Sequence, residues 1–458
     1  KSRGFDRGSF FVWTCFGGAS APIVAPARIS GDRGMARFVI QGGKRISGKH
    51  KTPGNKNAAL PMLAACVLTD QPVTLQNVPL IRDVHTMLDI LSELGASVEL
   101  RGHTVTICCA GLRKRRLDKT LCRSVRSSIL FAGPMAARHG RVVVSPPGGD
   151  IIGRRRLDTH FDGLAQLGIS VEADQDYAFR RDDFRAADIL LDEASVTATE
   201  NILMAAVLAP GCTTLFNAAC EPHVQDLCRM LNKMGAQIQG IGTNYLTIEG
   251  VASLQGARHR VSSDYVEAAS FITAAALTGG TLQVDSIVPE DFAIIGKHFA
   301  RLGIQWELSG GALRVPAQQA LNIQDDFGAA VPKIEDGTWP NFPSDLMSVS
   351  IVLASQAHGT MLFFEKMFES RMYFVDRLIE MGARIVQCDP HRVVVSGPTT
   401  LHGTRLSSPD IRAGMSMLLA ALCAKGESII ENAQVIDRGY EHVDRELRRL
   451  GADIERID

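Results

Sequence analysis

Neither sign of charge dominates this chain: Lys plus Arg and Asp plus Glu are 49 each, for a formal net charge of +0. No overall basic field is available to draw in nucleic acid or an anionic membrane, so any anion site has to be built locally. No stretch is long and apolar enough to span a bilayer. The ten cysteines are scattered, with no CxxC pair and no His/Cys metal spacing. The doublet Cys108-Cys109 cannot hold a metal by itself, and small buried hydrophobes are the commoner role for such thiols. That usage suits a reducing cytoplasm, and neither a metal nor another cofactor is expected.

What the chain has is length and repetition. At 458 residues and 45% apolar composition it is too long for one core and too apolar for disorder. Two domains are expected. The first 34 residues stand apart: "KSRGFDRGSFFVWTCFGGASA" loosely imitates a secretion signal, whereas "MARFVIQGGKRISG" from Met35 reads as the strand-turn start of a domain. An unstructured extension ahead of a natural beginning at Met35 is the preferred reading. A cleaved targeting segment is the other.

A helix ending in Leu/Met-Gly and followed by a short strand recurs in "LSELGASVEL", "LAQLGISVEA", "LNKMGAQIQG", "FARLGIQWEL", "LIEMGARIVQ" and "LRRLGADIER". The glycines are Gly95, Gly168, Gly235, Gly303, Gly382 and Gly451. Their period of roughly 70 residues exceeds that of solenoid repeats. A second marker keeps step: a small-residue turn entering a β-rich strand, as in "GCTTLFNAA" and "GGTLQVDSI". Alanine-rich helical runs such as "NAALPMLAACVL" and "EAASFITAAALT" precede these turns and are apolar around much of their circumference, so they are expected to be buried. Six equal units predict two domains of three units, with helices inside, sheets outside, and several helix N-termini facing an interdomain cleft. Helix N-termini attract anions.

One stretch joins glycines, an acid and three arginines: "SPPGGDIIGRRRLDTH", from Ser145 to His160. By itself a Gly-Gly-Asp caps a turn and a charge run is a solvated loop. The alternative is a mobile lid carrying an acid and anion-binding groups. Together with "PGNKNAALP" (Pro53 to Pro61), "FPSD" (Phe342 to Asp345), "IDRGYEHV" (Ile436 to Val443) and the six repeats, the chain resembles the enolpyruvyl transferase family, and the UDP-N-acetylglucosamine 1-carboxyvinyltransferases within it. The resemblance covers Met35 to Asp458. The Gly-Asn-Ala-Gly-Thr loop typical of 5-enolpyruvylshikimate-3-phosphate synthases is absent, and "GNKNAALP" stands in its place.

The resemblance implies an α/β fold of two inverse α/β barrels, each a three-fold prism of three βαβαββ repeats, with the active site between them. One domain would run over 56–263, and the other would combine 35–55 with 264–458. It implies transfer of the enolpyruvyl group of phosphoenolpyruvate to the 3-hydroxyl of UDP-N-acetylglucosamine with release of phosphate, the first committed step of peptidoglycan precursor synthesis, in a monomer or weak homo-oligomer. No metal is required. Such an addition–elimination needs an acid, a base and cations around phosphate and carboxylate.

Carried over residue by residue, Asp150 takes the place of the family's loop cysteine as proton donor or its substitute. Lys56 and Asn57 match the pair that holds phosphoenolpyruvate, with Lys56 also catalytic. Arg155, Arg412 and Arg438 match arginines that grip phosphate and carboxylate. Arg126, Arg155, Arg156, Leu157, Asp158 and Thr159 match the nucleotide-sugar segment, and the backbone of Met367 matches a sugar-nucleotide contact. Asp345 matches the general base, although "SDLMSVSIVLA" also suits a helix cap. Asp264 and Asp410 are supporting charges or caps. Fosfomycin alkylates the loop cysteine of typical members, so an aspartate there implies insensitivity. Departures gather on the acceptor side: Arg156, Glu193, Trp339, Met347 and Ser370. They keep open a paralogue acting on another nucleotide or nucleotide sugar. A non-catalytic relative is the third reading, and the retention of Asp150, Lys56 and Asp345 speaks against it.

Overall fold

All six repeated glycines adopt the left-handed backbone that a helix C-terminus favours, with φ between 78° and 109°. Gly95, for example, ends Arg82–Leu94, its N–H bonding back to the last turn, and Ser97–Arg101 follows as a strand. The same helix–glycine–strand step is taken at Gly168, Gly235, Gly303, Gly382 and Gly451. In a computed structural model of the protein, which describes residues 36–150 and 152–458, each unit builds one small sheet, and there are six. The readings made of residues 1 to 34 lie outside the described residues.

The second sequence marker supplies a strand of every sheet: Val73–Gln76, Cys212–Phe216, Leu282–Asp285, Gly359–Phe364 and Glu427–Glu431 as inner strands of the four-stranded sheets, and Arg141–Val144 as an edge of the three-stranded sheet. Chain ends complete the pattern. Arg37–Gln41 pairs antiparallel with both Glu427–Glu431 and Asp453–Ile457. Gly48–Lys51 joins Leu282–Asp285 in parallel, and Arg258–Arg260 joins Val73–Gln76.

The apolar helices are buried as their composition predicts. Lys56–Ala65, Arg126–His139 and Val196–Ala206 pack within one hydrophobic cluster that spans Ala58 to Val261. Tyr265–Thr278, Met347–Gln356 and Ile411–Cys423 pack within a second, made of Ala36 to Ile46 and Tyr265 to Ile454. The chain passes between the clusters on two adjacent segments. Asn55 N–H donates to Ser262 O at 2.7 Å and Asp264 N–H to Pro53 O at 2.9 Å. Gly54 sits in this crossing, where a Cβ would stand 1.8 Å from the Asn77 carbonyl oxygen. No helix among the described residues is long and apolar enough to cross a membrane.

Candidate active site

The inner helices of both clusters begin at one cavity of about 240 Å³. Its lining includes Lys56 and Asn57, Ser127, Val196 and Thr197, Tyr265, Asp345, and Ile411 with Arg412, all within the first turn or so of an inner helix. Aligned peptide dipoles therefore add positive potential from both sides. Two of these helices are capped by acids marked in the sequence. Asp264 accepts from Val266 N and Glu267 N, and Asp410 from Arg412 N and Ala413 N. Asp264 also accepts the Lys56 N–H at 3.1 Å, which ties the first helix of one cluster to the first of the other.

Four cations line this end: Lys56, Arg155, Arg371 and Arg412. Lys56 Nζ lies 3.0 Å from Asp83, which also accepts from Arg438 Nε at 2.9 Å, and Arg438 Nη1 donates to Asp150. Burial raises the pKa of Asp83, but Lys56 and Arg438 outweigh it and hold the carboxyl below its ordinary value. Asp345 is clamped by Arg412 Nη2 at 2.7 Å and Arg371 Nη1 at 3.1 Å. There too burial pushes upward, and the two guanidinium groups prevail, leaving the carboxyl far below the usual range. Asp345 does not cap its helix. Met347–Gln356 is entered through the turn Ser344–Leu346 with no side-chain cap, because the carboxylate is committed to the two arginines. Arg412 is further fixed by the Tyr440 hydroxyl at 3.2 Å and sits over that ring at 5.7 Å. Arg155 is the exception: among the described residues its guanidinium has no hydrogen-bond or ion-pair partner, and it faces the cavity. Burial lowers its pKa.

Asp150, Ile152 and Arg155 line the cavity, and the backbone at Ile152 and Arg154 meets the second cluster. Arg154 N–H donates to Glu369 Oε1 at 2.9 Å and Ser370 N–H to Ile152 O at 3.3 Å. Lys56, Asn57, Asp150, Arg155, Asp345, Met367 and Arg412 are thus brought together at the cavity wall. Arg438 and Arg126 stand just behind it: Arg438 holds Asp150, and Arg126 Nη2 donates to Arg155 O at 2.7 Å. Arg156, Leu157, Asp158 and Thr159 are not part of the lining. Arg156 pairs with Asp158 at 3.1 Å and Asp192 at 3.2 Å, Thr159 Oγ1 donates to Asp192 at 2.8 Å, and Leu157 is buried in the core.

Sequence reasoning missed a further part of the lining. Glu200, Glu221 and His223 line the cavity, all buried, and Glu200 Oε1, Glu221 Oε2 and His223 Nδ1 have no hydrogen-bond partner. Burial pushes Glu200 well above the carboxylate range, raises Glu221, and takes His223 down to about 4. Burial thus favours the neutral form of all three. Arg371 and Asp83 were missed as well. Arg371 follows Ser370, one of the departures from the family pattern, so a cation beside an altered residue was the available signal, but Asp83 forms its pairs with residues far away in sequence.

The family profile described as EPSP synthase (3-phosphoshikimate 1-carboxyvinyltransferase) matches residues 40–455. The chain belongs to the enolpyruvyl transferase family. This enolpyruvyl transferase is 52% identical over 422 residues to a Treponema denticola protein named UDP-N-acetylglucosamine 1-carboxyvinyltransferase, covering 92% of this chain and 99% of the relative. A Bradyrhizobium diazoefficiens protein of the same name is also 52% identical over 422 residues, with 92% and 98% covered. Among solved structures, the enolpyruvyl transferase NikO from Streptomyces tendae superposes with a TM-score of 0.82 at 23% identity, covering 93% of this chain and 99% of that one. EPSP synthase from Acinetobacter baumannii does so with 0.71 at 18%, covering 93% and 100%. At those identities the likeness is one of mixed α/β fold.

Proposed function

We propose that this enolpyruvyl transferase moves the enolpyruvyl group of phosphoenolpyruvate to the 3-hydroxyl of UDP-N-acetylglucosamine and releases phosphate, the entry step of peptidoglycan precursor synthesis. The observation that carries the reading is 52% identity over 99% of a relative bearing that activity's name, in a chain whose cavity keeps the acid, base and cations that the chemistry needs. An acceptor other than UDP-N-acetylglucosamine is not favoured by these relatives. Each hydrophobic cluster is read as one inverse α/β barrel, 56–263 and 35–55 with 264–458, and the cavity as the cleft between them.

In this reading Arg155, unpartnered and facing the cavity, takes the phosphate together with Lys56, and Arg412 and Arg371 receive the carboxylate. Fixed forks of this kind match both anions bidentately. The incoming phosphate competes with Asp150 for Arg438, which frees Asp150 to carry a proton to the methylene carbon. Protonation leaves a cation-like centre at C2, and the 3-hydroxyl attacks it. As the C–O bond forms, the hydroxyl proton becomes strongly acidic, so even a carboxylate as weakly basic as Asp345 can accept it. Asp150, now a carboxylate, takes a proton back from the methyl group of the tetrahedral adduct as the C–O bond to phosphate breaks, and the double bond is restored. The cations already in place stabilise the charge on the leaving phosphate.

The cavity is smaller than the roughly 300–1,000 Å³ of ordinary ligand pockets. Entry of a nucleotide sugar therefore requires the segment bearing Asp150, Ile152 and Arg155 to withdraw. Arg126 and Arg156 to Thr159 are assigned to the nucleotide, at the edge exposed by that movement. The deciding experiment is phosphate release from phosphoenolpyruvate with UDP-N-acetylglucosamine, UDP-glucose, UMP and shikimate 3-phosphate as separate acceptors. Release dependent on UDP-N-acetylglucosamine, and lost in Asp345→Ala, is expected. Release with another acceptor alone would overturn the assignment.

A further inference from the structure

A second cleft, of about 790 Å³, shares no lining residue with the catalytic cavity. It lies at the crossing between the two hydrophobic clusters, and Thr52 and Pro53 of the crossing form part of it. One side belongs to the second cluster: Lys49 to Lys51, Asp285 on the neighbouring strand, and residues between Glu441 and Arg449. The other belongs to the first cluster: Gln76, Asn77, His103, Thr104 and Arg260. Gly48–Lys51 and Arg258–Arg260 are edge strands of their sheets, and each leads into one of the two crossing segments. The volume is that of an ordinary ligand site.

Every acid in this lining is already bonded. Glu446 pairs with His50 Nδ1 at 2.8 Å and with Arg449, while Glu267 faces His50 Nε2 at 3.3 Å. Glu441 accepts the Leu80 N–H at 2.9 Å and lies 3.7 Å from His103 Nδ1, and Asp285 accepts the Gln283 amide at 2.7 Å. The cations are in the opposite condition. Among the described residues, the side chains of Lys49, Lys51, Arg260 and Arg445 have no hydrogen-bond or ion-pair partner. Edge-strand lysines can serve only to keep other strands from pairing. Arg445 stands on the helix Val443–Arg449 and has no such duty. Thr52 points the same way: it is 1% exposed, and its Oγ1 has no hydrogen-bond partner. A buried hydroxyl left so is unfavourable until something bonds to it.

We propose that this cleft is a second anion site, which takes a ligand carrying at least two phosphate groups. Lys49, Lys51 and Arg445 hold it from one side and Arg260 from the other. Cations on both sides call for more than one anionic group, and guanidinium forks match phosphate oxygens bidentately. In a chain with no net charge, such a local excess is what draws in an anion. The site stands apart from the proposed reaction, so its test needs no turnover.

The test is calorimetric titration of the full chain with pyrophosphate, ADP and citrate. The wild type is compared with the double variant Lys51→Ala/Arg260→Ala, with Thr52→Val, and with Arg155→Ala, which weakens the catalytic cavity instead. Saturable pyrophosphate binding is expected to survive in Arg155→Ala. In the double variant it should weaken by about tenfold or more, the scale of one charge-assisted hydrogen bond. Thr52→Val should weaken it by less. Both alanine substitutions fall on exposed side chains, so Tm should barely move. ADP bound more tightly than pyrophosphate would support the site with a nucleoside diphosphate as its ligand. Equal affinities would support it with the phosphate chain alone. Binding lost in Arg155→Ala but kept in the double variant overturns the proposal, and so does no saturable binding below about 1 mM. Citrate bound more tightly than pyrophosphate overturns the ligand class.

Discussion

Two groups of residues at the cavity differ in how their charges are met: Lys56, Arg371 and Arg412 are paired with Asp83 and Asp345, whereas Glu200, Glu221 and His223 lie buried with polar atoms unpartnered. Both groups contain titratable side chains, yet burial acts differently on them. Where guanidinium groups come within hydrogen-bond distance, burial is outweighed and the acids stay ionised. Where none does, burial decides, and it pushes both carboxyls and the imidazole towards their neutral forms. On the proposed reaction, the paired cations would meet phosphoenolpyruvate and the unpartnered group would meet the hydroxyls and amide of the sugar.

The largest effect that sharpens this contrast is expected from the paired group. Lys56→Ala or Asp345→Ala should cut kcat for phosphate release by about 10²–10⁴-fold, the usual scale for a lost acid–base group. Arg412→Ala leaves Asp345 with one guanidinium in place of two and should cost about 3–5 kcal/mol of stability in denaturant titration. The pH dependence has a fixed sign. A carboxyl depressed on folding, as Asp345 is, gives stability that is present above its unfolded pKa and lost as pH falls below about 4. Arg412→Ala should lose most of that acid sensitivity.

Fosfomycin offers a qualitative break. The wild type should show no time-dependent inactivation, whereas Asp150→Cys should acquire it, with a covalent adduct visible by mass spectrometry. An adduct on Asp150 itself would contradict this. The smallest effect belongs to the buried, unpartnered group. His223→Asn should raise the acceptor KM a few-fold, leave phosphoenolpyruvate KM unchanged and leave the pH profile above about 5 untouched, because burial keeps the ring neutral down to about 4. A shifted profile would mean that His223 carries charge in the working enzyme.

Much of this was written locally. The six Leu/Met-Gly endings announced six units because a left-handed helix terminus is a single-residue demand that glycine meets. Asp264 and Asp410 could be read as caps from their places ahead of apolar helices, and the caps are there. Asp345 looked equally like a cap and is not one, since two arginines reach it from positions 371 and 412. Arg156 to Thr159 stand next to Arg155 in sequence but not at the cavity, because Asp192 holds Arg156 and Thr159 to one side.

The sequence by itself determined the repeat and the buried helices, which are set by residue type and short-range spacing, while its resemblance to the family pointed to the residues proposed as acid, base and cations. Only the tertiary structure decided which charges meet. Asp83 with Arg438 and Arg438 with Asp150 are pairings across separate units. The protonation state of a buried group depends on neighbours that only folding assembles, and the buried group of Glu200, Glu221 and His223 has no signature in the order of residues.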